Sequence, residues 1–420
     1  MNAKDNQDTN KFSELGLYVG VDWASESHYY VARGEGSKTL SEGYFSNSAE
    51  GFESFFERID SLREGKSVAV IFEATKGAIL YGLQGGPSWL RLCPVNPVKT
   101  KKLNELDGSA KGKSDPRDAS LLCDYLKLKA SELLQAHVER DSLMLRLREA
   151  VSLETELVAR VTKLKQRIGR VINGLCPQLN PLIGDLEKKV YRAYLLDHSP
   201  LKLSSEEAIR TLLHAHRIYN QAYVDGFVEA HLLLRPLGHD RDLQSEQLEN
   251  LRSMVRILEV TVSELRYCEK RIDGLFNDLP QAHIYRSMPG VGPRIGPRLA
   301  DLFGSEPEKT YQSKAQALAY FGQTPLTMQT GSKHNKVVKK RVNCHKQARH
   351  AIYLWARVTN LNERSDWQRA YLDKCKARGD GLPTRYRKLG KKLVSILYRC
   401  LVDNVPYDSE IYMKNLHQKA

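Results

Sequence analysis

Apolar residues fall in short continuous or alternating runs over the first third of the chain and at helical spacing over the rest. "LYVGVDWAS", "HYYVARGE" and "EGYFSN" read as strands, "EGFESFFERIDSL" as an amphipathic helix, and "SVAVIFEAT" as a buried strand. "LRLCPVNP" is a further strand ended by prolines. Three strands, a helix and another strand, followed by more alternation, predict an α/β or mixed-sheet domain.

The middle of the chain carries two heptad seams. Leu157, Val161, Leu164, Ile168, Val171 and Leu175 alternate steps of four and three, as do Leu248, Leu251, Val255, Leu258, Val262 and Leu265. Charged residues lie between them, so each stretch predicts a coiled-coil helix, paired within one chain or between subunits. A mixed helical insertion spans Pro177 to Gln244. The last part is mainly α. It opens with "SMPGVGPRIGPRLADLFG", a glycine-containing turn between helices of the helix-hairpin-helix kind, in which the amides of Gly290 and Gly292 can receive a phosphate. A polar basic loop from Gln323 to Arg341 and further helices follow. The resulting divisions are a disordered leader at 1–13, a sheet domain at 14–135, a coiled coil with its insertion at 136–280 and a C-terminal domain at 281–420.

Charge narrows the class of partner. The 420 residues carry 64 Lys and Arg against 50 Asp and Glu, a net +14. Between Gly331 and Cys400 there are 19 basic residues and four acids, so this one segment holds the whole excess. A basic segment of that kind points to a polyanion, of which nucleic acid is the commonest. Lys333, Lys336, Lys339, Lys340 and Arg341 are the candidate phosphate contacts. Tyr353, Trp355 and Trp367 sit at helical spacing, which favours core packing over base stacking. The seven cysteines are scattered without a CxxC pair, as expected of reduced thiols in a cytoplasmic protein. No apolar run approaches the length of a membrane span.

Carboxylates supply the candidate chemistry. Asp22 closes the apolar run "LYVGVD" and Glu73 closes "SVAVIFE", so both end strands in places poorly suited to packing. In "GKSDPRDASLLCDYL", Asp115 precedes Pro116, which predicts Asp115 as the helix N-cap, Pro116 as the first helical residue and Asp118 at the third. Functional side chains gather at the carboxyl ends of neighbouring parallel strands. Four carboxylates gathered there would repel one another without a cation, and oxygen-only ligands select Mg²⁺ or Mn²⁺.

In this order, Asp22 in "GVDWAS", Glu73 in "FEAT", "VNP" at Val95 to Pro97, and Asp115 and Asp118 in "KSDPRDA" resemble the RuvC-like, RNase H-fold domain of DEDD insertion-sequence transposases, the bridge-RNA-guided recombinases related to Piv-type invertases. "MPGVGP", "ALAYFGQTP", the "TGSK" loop and "AIYLWA" are similar to the C-terminal domain of that family. The resemblance implies a transposase or site-specific recombinase acting on DNA with a structured guide RNA, as a homo-oligomer. It implies Mg²⁺, or Mn²⁺, held by Asp22, Glu73, Asp115 and Asp118. It also implies a loop serine that attacks a DNA phosphate to give a covalent phosphoserine. Counting along the motifs puts that serine at Thr330, with Ser332 two residues on, and both remain candidates for the nucleophile. Two other readings stay open: a RuvC-like junction nuclease using water, and a non-catalytic nucleic-acid-binding protein whose acids are caps and surface charges.

Overall fold

The computed structural model describes residues 15–36, 38–73, 78–95, 114–135, 142–198, 204–304, 306–311, 313–329, 336–339, 341–362 and 366–410. The chain forms two compact units, one of residues 1–139 with 306–320 and one of 140–305 with 321–420.

The first unit is built on a five-stranded mixed sheet. Strands β1 (Leu15–Trp23), β2 (Ser27–Arg33) and β3 (Thr39–Ser46) pair antiparallel in succession. Helix α1 (Ala49–Asp60) follows, with Ser48 as its N-cap accepting from the Gly51 amide at 3.2 Å. The chain then crosses to β4 (Ser67–Phe72), which lies parallel to β1, and on through helix α2 (Ala78–Gln84) to β5 (Leu90–Pro94), parallel to β4. The strand order is β3-β2-β1-β4-β5. β1 and β4 are apolar almost throughout because both faces of the sheet are covered. Leu17, Val19, Val21, Val68, Val70 and Phe72 pack with Phe52, Phe55 and Ile59 of α1 and Ile79 and Leu83 of α2. The other face belongs to helix α3 (Asp115–Gln135), whose Leu122 and Leu126 join Ala69, Ile71, Cys93 and Val95, while Ala119 and Cys123 join Tyr29 and Val31. Two short helices, Pro307–Thr310 and Lys314–Tyr320, belong to the same unit.

The start of α3 differs by one residue from the expectation. The Ser114 carbonyl accepts the Asp118 amide at 3.0 Å, so Ser114 stands at the cap, Asp115 is the first helical residue and Pro116 the second. Proline is tolerated at either position because first-turn amides have no intrahelical acceptor.

The second unit is helical. Helices α4 (Ser142–Leu175) and α8 (Arg241–Asn277) are the two coiled-coil stretches, and they pair with each other in one chain. Their sense is antiparallel, since the Leu237 amide just before α8 reaches the Leu175 carbonyl at 2.8 Å while Cys268 contacts the Ala150 carbonyl near the other end. All six predicted seam residues of α8 are buried. On α4 the seam drifts, with Ile172 buried where Val171 was expected and Leu164 only half-buried. A straight helix of 3.6 residues per turn leaves a strict heptad by about 20° per repeat, which moves the buried position by one.

Between them, helices α5 (Lys189–Asp197), α6 (Glu206–Ala215) and α7 (Gln221–Leu232) make up the insertion. Ser205, Asn220 and Asp240 cap α6, α7 and α8 by accepting from main-chain amides. Helices α9 (Ala282–Ser287) and α10 (Ile295–Phe303) flank the glycine turn, and α11 (Lys346–Asn362), α12 (Asp366–Ala377) and α13 (Leu382–Asp403) complete the unit. The expected basic loop contains structure. β6 (Leu326–Gln329) and β7 (Lys336–Lys339) pair antiparallel, with Gln329 opposite Lys336.

Candidate active site and nucleic-acid contacts

Asp22 and Glu73 leave the sheet side by side. Val21 pairs with Phe72 in the parallel β1–β4 ladder, so the next residue of each strand is one of the two acids. Side chains alternate along a strand. Asp22 therefore continues the row of Tyr18 and Gly20, and Glu73 that of Ala69 and Ile71, the face on which α3 lies. The indole of Trp23 donates to the Glu73 carbonyl at 2.8 Å, tying the two strand ends together.

Gly20 explains how α3 comes so near. A Cβ built there would stand 2.1 Å from the Ala119 carbonyl oxygen and 2.6 Å from the Cys123 nitrogen. No other residue type fits under the helix at this point. A glycine inside a strand pattern is itself the sign of such an approach, and "VGVDW" carries it two residues before Asp22. Arg33 holds α3 from β2, donating to Ser120 at 2.7 Å and pairing with Asp124.

The first turn of α3 sets Asp115 and Asp118 on one side of the helix at the same end of the sheet. A tyrosine unremarked in the sequence joins them. Asp22 pairs with Tyr29 across β1 and β2, Tyr29 pairs with Tyr44 across β2 and β3, and the Tyr44 hydroxyl donates to Asp115 Oδ2 at 3.4 Å. Partial desolvation, then the charges of Asp115 and Asp22, hold the Tyr44 phenol above its usual pKa, so both carboxylates act on one oxygen. Only cross-strand register brings these residues together, which is why no local signal marks Tyr44.

Among the described residues no group of three or more His, Cys, Asp or Glu side chains is close enough to hold a metal ion. What the fold supplies is a set of hard oxygen donors on one face, suited by chemistry to a hard divalent cation. The thiols on that face are not nucleophiles. Burial pushes Cys93 up to about 12 and Cys123 up to about 11.

In the other unit, Gly290 has φ +73°, and a Cβ there would meet Thr359 Oγ1 at 2.3 Å and its Cα at 2.9 Å. Its need for glycine comes from packing against α11, whereas Gly292 is exposed with open space around it. Trp355 and Thr359 fix this turn by donating to the Pro289 carbonyl at 2.8 and 3.0 Å. Trp355 and Trp367 are core residues, and Tyr353 stacks edge-on with Tyr386. Lys339 is exposed, and Arg341 donates to the Thr324 carbonyl at 3.1 Å. Lys336 lies in β7. Thr330, Ser332, Lys333 and Lys340 fall outside the described residues.

Comparison with known proteins bears on the same residues. Residues 19–177 match the DEDD transposase model of the IS110 type, and residues 282–373 match that of the IS116/IS110/IS902 transposase family. The chain belongs to this transposase family. A Streptomyces coelicolor protein named as a candidate transposase of the IS117 mini-circle is 21% identical, over 97% of this chain and 99% of its own length. An uncharacterized protein of insertion element IS110 from the same organism is also 21% identical, over 95% of this chain and 97% of its own. A candidate transposase of Sinorhizobium fredii is 28% identical over 48% of this chain and 57% of its own length. Transposases act on DNA, and a DEDD domain implies dependence on a divalent metal. No helix among the described residues is long and apolar enough to cross a membrane.

Proposed function

We propose that this transposase is a Mg²⁺-dependent recombinase of a mobile element whose RNase H-like, RuvC-like domain at 14–135 works with a nucleophile from the C-terminal domain at 281–420, the coiled coil at 136–280 lying between them in the chain. The observation that supports it most is that Asp22 and Glu73 follow paired residues of adjoining parallel strands, on the face where α3 begins with Asp115 and Asp118. The strand order β3-β2-β1-β4-β5, with β2 antiparallel to its neighbours, agrees with this reading.

Asp22, Glu73, Asp115 and Asp118 would hold Mg²⁺, or Mn²⁺ in its place. When bound, the ion lowers the cost of charge on the attacked phosphate and on the departing oxygen. The hydroxyl of Ser332 or Thr330 would bond to phosphorus and give up its proton to a carboxylate or solvent, as the phosphorus bond to a deoxyribose oxygen breaks. Lys333, Lys336, Lys339, Lys340 and Arg341, with the main chain of the turn at Gly290 and Gly292, would hold phosphates of DNA or of a structured guide RNA. The protein would act as a homo-oligomer, in the cytoplasm and at the nucleoid.

The test uses the purified full chain, a plasmid carrying the ends of its element and the noncoding RNA transcribed beside it. A covalent protein–DNA adduct, seen on a denaturing gel, should form with Mg²⁺ and disappear in Asp22→Asn and in a Thr330→Ala/Ser332→Ala double variant. A double variant that cleaves and joins DNA as well as the parent would overturn the protein-nucleophile mechanism.

A further inference from the structure

Asp115 is solvent-exposed at the first position of α3, where a carboxylate has several rotamers of similar energy. One neighbour narrows that choice. The Tyr44 hydroxyl donates to Oδ2 at 3.4 Å, which leaves Oδ1 for a ligand. The phenol is itself held in place: Tyr29 is 9% exposed and meets the Tyr44 ring edge-on, with centroids 4.7 Å apart and planes at 75°. Tyr29 stands directly opposite Asp22 on β1. A continuous row thus runs from Asp22 through Tyr29 and Tyr44 to Asp115, crossing three strands and reaching the helix. Tyr44 is 61% exposed on the edge strand β3, so burial does not account for a large aromatic at this position.

We propose that Tyr44 is a positioning residue, whose hydroxyl sets the orientation of the Asp115 carboxylate for a divalent cation shared with Asp22. The proposal rests on the metal-site reading given under Proposed function. A hydrogen-bonded partner of a ligating carboxylate fixes its direction and lowers the ordering cost of binding, and loss of such a partner typically weakens metal affinity about tenfold or more. The bond belongs to the side chain's oxygen and the packing to its ring. Tyr44→Phe removes the first and keeps the second.

The experiment is a Mn²⁺ titration of the full-length, DNA-free protein, followed by the electron paramagnetic resonance signal of the free ion. Tyr44→Phe should weaken Mn²⁺ binding about tenfold with an unchanged thermal midpoint, and Asp22→Asn and Asp115→Asn should abolish it. If the Asp variants lose Mn²⁺ while Tyr44→Phe titrates like the parent, the role of Tyr44 is refuted and the metal site stands. If Asp22→Asn and Asp115→Asn bind Mn²⁺ like the parent, the metal-site reading falls and this proposal falls with it. Tyr29→Phe, which keeps the ring pair and the Tyr44 hydroxyl, should titrate as the parent does.

Discussion

Gly20 and Asp22 illustrate how much one position can depend on another two residues away. Asp22 has a place beside α3 only because Gly20 lets the helix rest on β1, with the Ala119 carbonyl occupying the space of a Cβ. Gly20→Ala should therefore push α3 off the strand at Ala119 and Cys123. A loss of about 1–3 kcal/mol in stability is expected from overpacking of this kind, read by urea denaturation, together with a fall in strand cleavage larger than that of a substitution elsewhere in the core. Unchanged stability in Gly20→Ala would show that α3 can move without cost. Both strand-end acids were legible in the sequence, whereas the role of Gly20, a glycine inside a strand pattern, came from the backbone that lies over it. Tyr44 was not legible either, because its meaning depends on which strand pairs with which, and at what register.

Among the elements, the coiled coil and the turn that follows it are joined by a buried ion pair. Glu154 of α4 is 2% exposed and takes a two-pronged contact from Arg298 of α10, with nitrogen–oxygen distances of 2.6, 2.8 and 3.1 Å. Arg294, at the start of α10, pairs with Glu269 of α8. The helix after the glycine turn is thereby tied to both coiled-coil helices. Removing one partner strands a buried charge, so Glu154→Ala should cost about 3–5 kcal/mol, whereas a Glu154→Leu/Arg298→Met double replacement should recover most of it. Denaturation midpoints of the two variants check this, and equal losses in both would argue against a stranded charge as the cause. The heptad pattern revealed the helices and their inward faces. It could not show that they pair within one chain, since intramolecular and intermolecular seams have the same periodicity, nor could it foresee that a glutamate would sit in the seam to meet a distant arginine.

At the scale of the whole molecule, both units bury histidines that resist protonation. His28 packs between Phe45 and Phe52, and His231 accepts or donates a 2.7 Å bond with Tyr194 while His198 stacks on the same tyrosine. Burial first lowers the pKa of all three, and the neighbouring His198 lowers His231 further. Above about pH 6.5 the imidazoles are neutral both folded and unfolded, so they cost nothing. Below it the unfolded chain binds protons that the folded chain refuses, and stability must fall as pH drops toward the lowered folded values. The thermal midpoint should decline from about pH 6.5 downward, and a profile flat to one pH unit below that would contradict the buried, neutral state. The sequence alone determined the sheet domain, the helical remainder, the basic segment and the family motifs, because periodicity, charge and motif order are written along the chain. The tertiary structure decided the pairing of the coiled-coil helices, the packing role of Gly290 and the row from Asp22 to Asp115. Those depend on strand register and on backbones that touch at Gly20 and Gly290, which are distances through space between residues remote in sequence.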